Sequence, residues 1–147
     1  MNLFENNPYI LCVIDMQDVF PNARKIVHEV CHQIKQAKSK NYPIILLEYI
    51  DNGHTYQEIQ KEINNYPFVF RQIKNEDDGS FEIAWVISEN KLIGDILICG
   101  VNVSHCITST VIGLIPKLKN PIYISQSATA GGSLDYLLKS TNIKKVP

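Results

Sequence analysis

YILCVID, residues 9–15, decides the fold: six residues without a charge or an amide run into an aspartate. A strand with one face in water alternates apolar and polar residues, whereas a strand covered on both faces is apolar throughout. The same style returns in PIILLEYI (43–50), FVFRQI (68–73), DILIC (95–99) and PIYIS (121–125). These five runs read as strands of a parallel sheet covered by helices. Between them the apolar spacing changes to three or four. Across 24–40, Ile26, Val30, Ile34 and Ala37 recur with Lys35, Lys38 and Lys40 elsewhere on the circumference, and the polar stretch before Pro43 is a stop. Further helices are expected over 56–64, over 80–90 (Phe81, Ala84, Trp85), over 104–118 with Pro116 fraying its last turn, and over 133–140. Strand and helix alternate throughout, the pattern of an α/β fold with right-handed crossovers.

Composition bounds the function. The 147 residues make one domain, 45% hydrophobic and 20% charged, with a formal net charge of -1. Such a field attracts neither nucleic acid nor an anionic membrane, and the one tight basic pair, Lys144-Lys145, sits beside a solvated end. No run approaches the roughly 20 apolar residues of a membrane span. The first eight residues lack the basic-then-apolar pattern of a secretory leader. Four cysteines, Cys12, Cys31, Cys99 and Cys106, lack CxxC spacing and read as free thiols of a reducing compartment, so a cytoplasmic location is expected.

In open α/β sheets ligands bind at the carboxyl ends of the strands. That rule picks out Asp15 after the first strand, Asp51 after the second, Lys74 after the third and the turn from Gly100 to Cys106 after the fourth. A carboxylate, an ammonium and a thiol thus converge on one rim.

Three segments carry a specific resemblance. ILCVIDMQDVF (10–20), IKNEDDGSFE (73–82) and GVNVSHCITSTV (100–111) resemble, in order and spacing, the first-strand, lysine and nucleophile segments of the isochorismatase-like cysteine hydrolases. The resemblance covers nearly the whole chain. It implies a single hydrolase domain over 1–147, shortened at the C-terminus. The implied fold is a three-layer α-β-α sandwich around a mostly parallel, Rossmann-like sheet of order 3-2-1-4-5. It also implies a catalytic set of Asp15, Lys74 and Cys106. An oxyanion hole would form from backbone N–H groups around Asn102 and Cys106, with a cis peptide between Val101 and Asn102. Members with this set are mostly amidases acting on small amides or ureido compounds through a thioester. A homo-oligomer, a small-molecule substrate and no cofactor are the corresponding expectations.

The chemistry of these residue types agrees. A thiol ionises near ~8.5, and a place at a helix start beside a lysine is expected to favour its thiolate. Asp15 would accept the thiol proton and return it to a leaving amine. Rival readings exist for each residue: Cys106 as a small buried hydrophobe, Asp15 or Asp18 as a helix cap, Arg71 in place of Lys74 if the third strand ends sooner. Phe20, Tyr49 and Phe81 are candidate pocket walls, with His105 beside the nucleophile. Cys12 and Cys99 read as core, and His28, Cys31 and His32 as a solvated helix face. Nicotinamidase-type members hold a metal through an Asp and histidines after the second strand. Here Asp51 and His54 are the only candidates, one ligand short of the usual three, so no metal is expected. A degenerate member that binds without turnover, and a vinyl ether hydrolase, remain as alternatives.

Overall fold

The computed structural model describes residues 7–147. Six strands form one sheet in the order β3-β2-β1-β4-β5-β6: β1 (Tyr9–Ile14), β2 (Ile44–Tyr49), β3 (Val69–Lys74), β4 (Asp95–Val101), β5 (Ile122–Ala130) and β6 (Ile143–Val146). Every pairing is parallel. The helices are α1 (Pro21–Arg24), α2 (Val27–Ser39), α3 (Gln57–Ile63), α4 (Ser80–Glu89) and α5 (Thr108–Leu114), the last preceded by a π-helical turn, Val103–Ile107.

The central strand shows why its sequence is apolar at every position. Tyr9, Leu11 and Val13 pack against Val27, Val30, Ile34 and Ala37 of α2 and Ile59 of α3. Ile10, Cys12 and Ile14 point the other way, against Ile83 and Val86 of α4 and Val111 and Leu114 of α5. Period-two alternation sends neighbours to opposite faces, and here both faces are core. Cys12 and Cys99 are part of it, and burial raises both thiols. Among the described residues no helix is long and apolar enough to cross a membrane.

The α/β class and the order 3-2-1-4-5 agree with the sequence reading, and three local expectations are corrected. The helix expected over 24–40 is two helices, because Ile26 leaves helical geometry (φ -122, ψ 10) to turn its side chain into the core. Its spacing from Val30 is the same either way, so periodicity could not reveal the break. The amphipathic helix expected over 133–140 is reduced to a 3-10 turn, Leu137–Lys139. A sixth strand then follows, beyond the five expected from the sequence. Only Ile143 and Val146 of IKKV are buried, as befits an edge strand, and two apolar residues gave too weak a signal.

Gly100 fixes the approach of β4 to β1. Its φ of +118 disfavours a side chain, and a Cβ there would stand 2.1 Å from the carbonyl oxygen of Ile14 on the neighbouring strand. Backbone cannot yield as a side-chain tip can. Gly100→Ala is therefore expected to cost about 3 kcal/mol through strain and overpacking, read as a lowered urea midpoint at unchanged slope. A midpoint within error of the parent would contradict this packing.

Candidate active site

The chain leaves β1 toward β2 and β4 toward β5, so the strand order reverses between β1 and β4 and opens a crevice at their carboxyl ends. Asp15, the first residue past β1, adopts φ +54, donates its N–H to Leu47 O (3.1 Å) and accepts from Gln17 N–H (2.8 Å). These bonds turn its carboxyl into the crevice. Lys74 ends β3, and its stem passes Gly79, where a Cβ would lie 3.1 Å from the lysine Cδ. Its Nζ stops 3.0 Å from Asp15 Oδ2. Both residues are 1% exposed.

The directed hydrogen bonds of Lys74 Nζ go to the carbonyls of Glu76 (2.9 Å) and Asp77 (3.2 Å). Its charge also sits 4.0 Å from the centre of the Tyr49 ring, a cation–π contact. Toward Asp15 the ammonium therefore acts chiefly as a charge, as the partner of a buried ion pair. Burial pushes the Asp15 carboxyl above the usual carboxylate range, with the Lys74 charge opposing only in part.

Cys106, 7% exposed, lies in the π-helical turn rather than at the start of α5. The carbonyl of Asn102 accepts from the N–H groups of His105 and Ile107 (3.1 Å each) and passes over that of Cys106 between them. The Val101–Asn102 peptide bond is cis. The expected ionised thiol needs correction. Burial, then the charge of Asp15 and a hydrogen bond with it, push the Cys106 thiol up to about 12, against the opposing pull of Lys74. The helix-dipole argument fails because a buried anion beside a carboxylate costs more than one turn of unpaired N–H groups returns. Alkylation of Cys106 by iodoacetamide should therefore rise about tenfold per pH unit from neutrality upward, since the reactive thiolate is a small fraction until pH nears the thiol pKa. A plateau below pH 8 would overturn this reading.

Side chains given no role from sequence hold these groups in place. Gln17, buried, accepts the N–H of Tyr49 (2.7 Å) and donates to the carbonyls of Tyr49 (2.9 Å), Asn52 (3.2 Å) and Gly53 (3.2 Å), locking the turn after β2. Thr110, one helical turn past Cys106, accepts the N–H of Gly79 (2.9 Å) and ties the nucleophile helix to the lysine loop. Asn22 donates from Nδ2 to Asn102 Oδ1 (2.8 Å), and Gly131 packs so closely there that a Cβ would meet that oxygen at 2.2 Å. Thr110 carried a signal in its spacing from Cys106. Asn22 carried none, because the break before α2 that presents it is invisible in periodicity.

The remaining candidates divide. Tyr49 lies at the site, its ring under Lys74 and its hydroxyl donating to Asp77 Oδ1 (3.1 Å). Phe20 caps α1 half-buried against the α2 side of the core. Phe81 is 68% exposed on the first turn of α4, and His105 is exposed next to Cys106. Asp51 and His54 are exposed too, and His54 is held by its backbone: its N–H donates to Asp18 Oδ1 (3.2 Å) and its carbonyl accepts from Asp18 N–H (2.8 Å). Among the described residues no group of three or more His, Cys, Asp or Glu side chains is placed to hold a metal ion. The donor set of a nicotinamidase-type metal does not fit this turn.

No known family profile and no curated protein matches the sequence. Solved structures do match. The nicotinamidase of Staphylococcus aureus aligns at a TM-score of 0.80 and 17% identity, over 94% of this chain and 98% of that one. The nicotinamidase/pyrazinamidase of Bacillus subtilis aligns at 0.82 and 12%, over 95% and 100%. An isochorismatase-like hydrolase from Alkaliphilus metalliredigens aligns at 0.76 and 12%, over 94% of each chain. The fold is that of the isochorismatase-like hydrolases. Identity this low carries architecture alone.

Proposed function

We propose that the protein is a cysteine hydrolase that cleaves a small amide or ureido C–N bond through a thioester on Cys106. The observation that carries the proposal is the buried convergence of Asp15, Lys74 and Cys106 at the β1/β4 crevice. Burying an aspartate, a lysine and a thiol together costs stability that an apolar core would not, and such clusters in a cleft mark functional sites. The fold's solved neighbours, nicotinamidases and an isochorismatase-like hydrolase, support a hydrolase.

In the proposed reaction the Cys106 thiol gives its proton to Asp15 as Sγ attacks the carbonyl carbon. The raised Asp15 carboxyl suits this role, because a base that is too acidic would take no proton from a thiol. Lys74 stabilises whichever of the pair is negative at each stage. The N–H groups of Asn102 and Cys106 face the developing oxyanion. The C–N bond breaks as Asp15 returns the proton to the leaving amine. Water then enters, loses a proton to Asp15 and cleaves the thioester; the acid departs and the thiol is restored.

The test is incubation with a panel of small carboxamides and ureas, reading released ammonia and, by intact mass, an acyl adduct that maps to Cys106. Release of ammonia with an adduct absent from Cys106→Ala is the expected result. A Cys106→Ala protein that turns over any such substrate at the parent's rate would end the proposal.

A further inference from the structure

We propose that this site selects by charge, taking neutral or cationic amides and turning away substrates that bear a carboxylate or phosphate. The proposal rests on the cysteine-hydrolase reading above and adds the substrate class. Among the described residues the cations nearest the crevice are already engaged. Lys74 Nζ is held by two carbonyls, Asp15 and the Tyr49 ring, leaving no ammonium hydrogen directed at a ligand. Arg24 pairs with Glu58 (2.9 Å), and Lys25 donates to Asn22 Oδ1 (3.1 Å). Lys144 and Lys145 lie on β6, at the far edge of the sheet from β3. Recognition of a carboxylate or phosphate ordinarily uses a lysine or a forked arginine aimed at it, and none is free here.

The opposite charge surrounds the mouth. Asp18, Asp51, Glu76 and Asp77 are exposed and follow the carboxyl ends of β1, β2 and β3. Asp77 is fixed by the Tyr49 hydroxyl, and its charge reaches inward to raise Asp15 further. An independent observation points the same way from within. Asp15 is a buried carboxylate in the crevice, paired with Lys74 and hydrogen-bonded by the Cys106 thiol, so the one buried cation there is already neutralised. An incoming anion would lose its hydration there without gaining an unengaged cation, a cost that a neutral amide does not meet.

The experiment uses Cys106 itself as the reporter. Three methanethiosulfonates of differing charge, trimethylammonioethyl, sulfonatoethyl and methyl, are reacted with the full chain. Each rate at Cys106, read by peptide mass, is divided by the reagent's rate with free mercaptoethanol. The four acidic side chains at the mouth should favour the cationic over the anionic reagent about fivefold near 0.15 M salt, rising to about thirtyfold near 0.01 M. Replacing Asp18→Asn, Asp51→Asn and Glu76→Gln together should bring the ratio toward one while the methyl reagent changes little. The single Asp51→Asn variant, whose left-handed backbone an asparagine accepts, gives a smaller shift in the same direction should the triple variant fold poorly. A parent ratio near one, a faster anionic reagent, or a ratio indifferent to these substitutions overturns the charge selection. If even the methyl reagent labels Cys106 only after denaturation, the cysteine-hydrolase reading fails first, and the selection with it.

Discussion

Turnover should fall at least about ten-thousandfold when Cys106 is replaced by serine, with the fold retained. The substitution keeps the shape of the side chain and both neighbours, so the loss isolates the nucleophile. Asp15 can draw a proton from a thiol even at about 12 because its own carboxyl is raised. A serine hydroxyl binds its proton more tightly by several further powers of ten, and this site holds no imidazole base in contact with the nucleophile to compensate. The measurement is ammonia release on the best amide of the panel, with a urea melt to confirm folding. A serine variant retaining a tenth of the parent's rate would mean that the reaction does not pass through Sγ. Stability should move by only about 1 kcal/mol, because one partly satisfied polar atom replaces another.

Lys74→Met should have the largest effect on stability, a loss of about 3–5 kcal/mol near neutral pH, because it strands the buried charge of Asp15. The pH dependence has a definite sign. Asp15 in the folded parent already lies above its unfolded value of 3.8, and Lys74 is the main influence holding it down. Without Lys74 the folded protein binds that proton still more firmly than the unfolded chain. The variant is thus penalised most above its folded Asp15 pKa, and the penalty fades as acid protonates the carboxyl, disappearing toward pH 4. Pairing the change with Asp15→Asn removes the stranded charge, so the double variant should lose far less than the two single losses combined. Additive losses, or a Lys74→Met deficit that persists at pH 4, would show that the ion pair is not what holds this region.

The sheet was legible because its signal is redundant: Tyr9–Ile14 is apolar for two independent reasons, one per face, and four other strands repeat it. Asp15, Lys74 and Cys106 were legible because each ends a strand or follows one, and the strand order brings three such ends together. What escaped depends on packing distance rather than on local pattern. The break at Ile26 preserves apolar spacing, and β6 buries only two side chains. The direction of the Cys106 shift turns on burial against helix-end stabilisation, a balance that residue identity does not set. Asn22 and Gln17 are ordinary amides in sequence, and only contacts 80 and 32 residues away give them a task.

The Gln17 clamp has a thermodynamic consequence. A binding wall made of loose loops must be frozen when a ligand arrives, at about 0.5–1.5 kcal/mol for each rotamer-rich side chain immobilised. Here the turn after β2 is already pinned at Tyr49, Asn52 and Gly53 by one side chain, and the Tyr49 ring is held at its face by Lys74 and at its hydroxyl by Asp77. A ligand entering beside Tyr49 meets a surface whose ordering entropy was spent during folding, so the contacts it makes there count in full toward affinity.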